Sequence, residues 1–200
     1  EMIDFWQSTP SLIADPTSNK EITSAIIKMI SAFCVKMPSN NNELLPYIQE
    51  LISSFLESAK KRLIIELEHP SELRDNLAAF ITILGGSVIG DDFPFADFML
   101  LILSTIPLQY DFTLCSEMYQ FISGIYPVVI AQNEQLKNLY IHGLVELFSQ
   151  PFNNVIIMKI DPYVLNSLQK SLSKALQKED EGENEENFDN ENDDNEQLMS

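Results

Sequence analysis

Apolar residues recur along this chain at helical spacing, one stripe after another. Ile22, Ala25, Ile26, Met29, Ile30, Phe33 and Met37 follow the i, i+3, i+4, i+7 rule that lays one buried face along a helix. Leu44, Tyr47, Ile48, Leu51, Ile52, Phe55, Leu56, Ala59 and Leu63 predict a longer helix, and Leu73, Leu77, Phe80, Ile81, Leu84 and Val88 a third. Further stripes run through Phe95, Phe98, Met99, Ile102 and Ile106, through Phe112, Cys115, Tyr119 and Ile122, and through Leu136, Tyr140, Leu144, Leu147 and Phe148. Leu165, Leu168, Leu172, Ala175 and Leu176 close the series. Alternation with period two is nowhere sustained. Only Asn154 to Ile160 has the β-branched richness of a strand, and one strand alone makes no sheet.

Punctuation falls between the stripes. Asn42, Ser71, Asp92, Asp111 and Asp161 can each accept an orphan backbone N–H at a helix start, and Pro162 suits a first helical position. Gly85-Gly86 and Gly124 suit helix ends, and Pro10, Pro38, Pro70, Pro107 and Pro127 lie at or near the breaks. Paired, the helices give four hairpins starting near Glu1, Glu43, Phe93 and Gln132, spaced 42, 50 and 39 residues apart. Helical-hairpin solenoids repeat every ~40–47 residues. The expected fold is therefore all-α, a right-handed superhelix of HEAT-like hairpins over residues 1–178.

From 179 onward the stripe stops. Glu179 to Glu196 holds eleven Asp or Glu and no Lys or Arg, with Phe188 its one large apolar residue. Such a segment cannot offset its ordering entropy by burial, so 179–200 is expected to be acidic and disordered. It reads as a solubilising linker or as a mobile attractor for a basic ligand. A divalent-cation site fits less well, because Asp193-Asp194 lack the ordered spacing and Gly turn of a calcium loop. On the second reading Glu183, Glu185, Glu186, Asp189, Glu191, Asp193 and Asp194 are candidate partner-binding residues.

Charge narrows the function classes. The chain carries −18, and residues 1–178 alone carry −7, which disfavours general binding to DNA or RNA. Lys60-Lys61-Arg62 is the one compact basic run, expected as a solvated helix face. Cys34 and Cys115 sit in apolar stripes and read as reduced, buried thiols. His69 and His142 stand singly, and no spacing suits a metal, a phosphate loop or a nucleophilic triad. No catalytic residue, cofactor or metal is expected, so the chain is not expected to be an enzyme. No signal peptide or membrane span is visible; the missing initiator Met and abrupt end suggest a piece of a longer polypeptide, whose cut ends should expose apolar faces. Phe5-Trp6 can anchor a partner or plug the seam between neighbouring repeats.

Two stretches carry resemblances. His69-Pro70-Ser71-Glu72-Leu73-Arg74, followed by Leu77, Ala78, Phe80, Ile81 and Leu84, resembles the opening of a HEAT second helix. Phe95 to Phe121 resembles the importin-β superfamily of nuclear transport receptors, the karyopherins. There the apolar helix around Phe98 to Ile102 leads into Thr105-Ile106-Pro107 and Tyr110, then a helix with Ser116, Met118 and Phe121. This pattern, with the Phe5-Trp6 helix, is similar to the transportin-SR-like branch, although Phe121 lacks the partnering Trp. The resemblance implies a receptor shuttling between nucleus and cytoplasm. It also implies protein partners: cargo, the GTPase Ran and Phe-Gly nucleoporins, bound through grooves between helices. A HEAT-type scaffold in RNA processing or translation is the other reading.

Overall fold

Among the described residues the fold is built from helices alone, and no strand occurs. The computed structural model describes residues 2–36, 45–89 and 95–186, with side chains described for 6–35, 51–86 and 98–177. The α-helices are α1 (Met2–Ala14), α2 (Lys20–Lys36), α3 (Leu45–Glu68), α4 (Glu72–Ile83), α5 (Phe95–Leu103), α6 (Cys115–Ile125), α7 (Glu134–Ser149), α8 (Asn154–Ile157) and α9 (Pro162–Glu186). A π-helical turn, Leu84–Ile89, extends α4, and short 3-10 turns at Ile130–Gln132 and Pro151–Asn153 flank α7.

The helices form two rows. α1, α3, α5 and α7 lie side by side in one, and α2, α4, α6 and α9 in the other. Leaving out the one-turn α8, each helix thus meets the one two places further on, and consecutive helices alternate between rows. α3 with α4, α4 with α5, and α7 with α9 close the gap between them. The most enclosed helix is α4: every residue from Leu73 to Ile83 is buried, polar ones included.

Close approach between neighbours within each row has a sequence cause at two glycines. A Cβ on Gly86 would come within 2.6 Å of the Phe121 ring, and one on Gly143 would run into the Ile106 side chain. Bare backbone at these positions lets α6 reach the π-helical turn and α7 reach the end of α5. Gly85-Gly86 therefore lies inside a helical turn, not beyond a helix end. Helix starts divide similarly. Asp161 accepts the Tyr163 N–H at 2.8 Å, with Pro162 first in α9 as expected. Asn133 caps α7 by accepting from the Leu136 N–H. Ser71 makes no capping bond, and α6 begins only at Cys115, after a turn in which Asp111 accepts from the Thr113 N–H. Asn42 and Asp92 lie outside the described residues.

Asn154 to Ile157, within the β-branched run that alone makes no sheet, is a helical turn, α8. Two expectations change. The backbone of α9 stays helical to Glu186, eight residues past the expected boundary at 178. Glu and Gln are good helix formers, and extending an existing helix needs no new nucleus. The remaining acidic residues, from 187, lie outside the described residues. Most instructive is α2, whose buried face is Thr23, Ser24, Ile27, Ile30, Ser31 and Cys34. Of the stripe expected inside, Ile30 is buried and Ile26 packs against the core, but Ile22, Met29 and Phe33 face out. Small side chains on the inward face permit close contact with α4, and that selects the orientation.

Candidate interaction surfaces and the polar clamps behind them

Trp6 comes to rest in a seam. Its ring lies 5.8 Å from Phe33 and meets Phe55 edge-on at 6.0 Å, and Phe55 meets Phe80 in the same way at 6.0 Å. The rings form a continuous apolar line from α1 through α3 to α4. Edge-to-face pairs of this kind add about 0.5–1.5 kcal/mol each beyond the area they bury. The Phe5 side chain lies outside the described residues. So do the side chains of Glu183, Glu185 and Glu186 on α9, and all of Asp189, Glu191, Asp193 and Asp194.

A first polar clamp locks the turn between α1 and α2. Arg62, fully buried on α3, pairs through Nε with Glu66 Oε1 at 2.9 Å. Its Nη1 donates to the Asp15 carbonyl and, at 3.1 Å, to the Ser18 hydroxyl. Glu66 Oε2 takes Lys20 Nζ at 2.6 Å and Ser71 Oγ at 3.0 Å. Burial alone would raise the Glu66 carboxyl; bonds from Lys20, Arg62 and Ser71 outweigh it and hold the group below its ordinary value. Lys60-Lys61-Arg62 is therefore not a solvated face. Arg62 turns inward to these partners, Lys60 sits 5.0 Å over the Phe98 ring, and only Lys61 is exposed.

A second clamp locks the turn before α6, within the stretch that resembles the karyopherins. Asp75 Oδ2, buried on α4, accepts three successive backbone N–H groups: Gln109 at 2.8 Å, Tyr110 at 2.6 Å and Asp111 at 3.1 Å. Its Oδ1 takes Arg74 Nε and Nη2 at 2.9 and 2.6 Å, and the guanidinium lies 5.9 Å from the Tyr110 ring. The Ile106–Pro107 bond that opens this turn is cis. Asn76 Nδ2 donates to Ser24 Oγ at 3.1 Å and to Asp111 Oδ2 at 3.2 Å, while Lys28 pairs with both Asp111 and Glu72. Burial pushes Asp111 up, but bonds from Lys28, Thr113 and Asn76 prevail and bring it down to about 2. These links tie α2, α4 and the turn together.

Outside the clamps, two apolar faces lie open. On α2, Ile22 and Met29 are 57% and 52% exposed, with Phe33 and Val35 beside them. At the last pair, Met158 and Tyr163 are 76% and 82% exposed, near Phe152 and Val155. Cys34 and Cys115 are free and buried, and burial drives both thiols up to about 11, away from reactivity. Among the described residues no group of three His, Cys, Asp or Glu could hold a metal ion, and no helix is long and apolar enough to cross a membrane.

A cleft of about 430 Å³ opens where α6, α7 and α9 meet, lined among others by Tyr126, Lys137, Lys170 and Lys174. On its floor Ser123 Oγ donates to Ser167 Oγ at 2.6 Å, and the Tyr140 hydroxyl bonds Ser171. Sequence reasoning passed over this site, although Lys170 and Lys174, like Ser167 and Ser171, stand four apart on one face of α9. No protein-family model, curated protein or solved structure matches this chain.

Proposed function

We propose that this chain is a segment of a nuclear transport receptor of the importin-β type, a HEAT-like superhelix that binds proteins and catalyses nothing. The observation that carries the reading is the packing of each helix on the one two places further on, which hairpin repeats need in order to bury a continuous core. Outward-facing Ile22, Met29 and Phe33 also support it: a helix inside such an array needs an apolar surface on both sides. So does the resemblance over Phe95 to Phe121, whose Ile106-Pro107 to Tyr110 turn is the one that Asp75 holds. The partners are cargo, Ran and Phe-Gly nucleoporins, met in nucleus and cytoplasm, with the acidic run attracting basic cargo by long-range charge. A scaffold for RNA would need an open basic ridge, whereas Lys20, Lys28, Arg62 and Arg74 are all matched by carboxylates.

The test is binding of the 200-residue chain to Ran·GTP, to Phe-Gly repeat peptide, to a Lys/Arg-rich cargo peptide and to single-stranded RNA. Saturable binding to any of the first three supports the transport reading. Failure of all three sinks it, and binding to RNA alone would favour the scaffold.

A further inference from the structure

We infer that the cleft between α6, α7 and α9 is a binding site for a small organic molecule carrying two phosphate groups. Its volume of about 430 Å³ lies within the range of small-ligand sites, about 300–1,000 Å³, and is too little for a folded partner. Donors in its wall lack acceptors. Lys170 and Lys174 make no ion pair among the described residues, whereas Lys20 and Lys28 are held by carboxylates of the clamps. Lys137, already engaged, adds only its charge. Ser123 donates to Ser167, which leaves the Ser167 proton unspent, and the Tyr126 hydroxyl meets no hydrogen-bond partner among the described residues. Burial, against the pull of Lys137, raises Tyr126 above its ordinary 10, so this hydroxyl keeps its proton and stays a donor. No Asp or Glu is among the described residues that line the cleft. In a chain of net charge −18 it is therefore a local positive basin, which concentrates small anions.

Acceptor chemistry selects the ligand. An ammonium brings three donors and a hydroxyl brings one. A phosphate ester answers with three oxygens and close to two negative charges, a carboxylate with two oxygens and a single charge. Spacing then sets the number of phosphates. Ser167, Lys170 and Lys174 stand at i, i+3 and i+7 on one face of α9, a rise of about 10 Å from first to last. One phosphate is too small to touch both ends. Two reach, one beside Ser167 and Lys170 and the other beside Lys174. Away from α9, Tyr126, Pro127 and Ala131 offer carbon against which the ligand's skeleton can lie. This site stands apart from the transport reading and survives its failure.

The test is calorimetric titration of the full chain with fructose bisphosphate, fructose monophosphate, inorganic phosphate and citrate, all at matched ionic strength. The bisphosphate should bind saturably, one per chain, and about tenfold or more tighter than each of the others. Lys170→Gln with Lys174→Gln should weaken it by about tenfold or more, and Tyr126→Phe by about threefold. Lys61→Gln, which removes an exposed charge on α3, should leave binding unchanged. No binding of the bisphosphate overturns the proposal, as does monophosphate or citrate binding equally well. Lysine substitutions in the cleft without effect, or a loss as large from Lys61→Gln, overturn it too, because the attraction is then general charge. Lys170 and Lys174 are both exposed, and thermal melting of each variant guards against misfolding. None of these titrations involves Ran, Phe-Gly repeats or basic cargo, so the two readings fail separately.

Discussion

The carboxylate of Asp75 accepts the backbone N–H of Tyr110 at 2.6 Å, joining residues 35 apart in sequence, and takes the two neighbouring N–H groups at the same oxygen. Among the described residues no other acceptor for these amides is in place, so the backbone of the turn before α6 is held by one side chain of α4. Removing it strands three donors and the Arg74 guanidinium. Asp75→Ala should cost about 3–5 kcal/mol, and Asp75→Asn less, because one amide oxygen can still accept. Urea unfolding of both variants measures this, and an Asp75→Ala loss under about 1 kcal/mol would refute the clamp.

Arg62 and Glu66 make the companion case. Arg62→Met leaves a buried carboxylate with only Lys20 and Ser71 to hold it, for an expected loss of about 3–5 kcal/mol. Combining it with Glu66→Leu should recover part of the loss, since a well-packed apolar pair often matches a buried ion pair. Comparing the double variant with the two singles decides the matter.

Acid should loosen both clamps. Glu66 lies below its ordinary 4.5 and Asp111 lies at about 2 against 3.8. A carboxyl that is more acidic folded than unfolded lends stability above its unfolded pKa and forfeits it as pH falls through the folded one. Asp111→Asn should therefore differ most from the unaltered chain above pH 3.8 and converge with it by about pH 2. Lys28, raised above 10.5 because its carboxylate partners outweigh burial, should keep its contribution until the solution is more alkaline than that. Unfolding midpoints against pH follow both.

Gly86→Ala should destabilise by about 1–3 kcal/mol, because the new methyl would lie 2.6 Å from the half-buried Phe121 ring and force it to shift. A companion Phe121→Leu change should relieve part of the cost. Gly124, with open space around it, tolerates alanine with little change. Thermal melts separate the two glycines directly.

How α2 sits can be checked by contrast. Ile22→Ser with Met29→Ser should move stability by less than about 0.5 kcal/mol, as exposed positions do. Ile27→Ser should cost several times more, since it opens a cavity and buries an unpaired hydroxyl. The reverse order would restore the orientation that periodicity alone suggests.

Periodicity reported the helices well and their orientations unevenly. On α7 the apolar stripe and the buried face coincide, whereas α4 is buried all round, which no single stripe foretells. On α2 apolar residues occupy two sides, so the larger stripe misleads, and Thr23, Ser24 and Ser31 decide the inner face by their small size. Arg62 looked like the end of a basic run because its partners at Asp15 and Ser18 are 47 and 44 residues distant. Asp75 looked ordinary beside Arg74, since its three backbone donors belong to a turn 34–36 residues on. The lysine cleft was half legible, from the four-residue spacing on α9, but α7 had to be placed before Lys137 could join it.

The guanidinium on α3 grips the turn ahead of α2, and the carboxylate on α4 grips the turn ahead of α6, so neither end of this stretch can fray alone. Any opening that frees a turn abandons a bare ion inside its neighbour, a penalty that delays the break until several coils give way together. The array should therefore melt in blocks, with amide protection in both turns rising and falling in step with that of the helices that hold them.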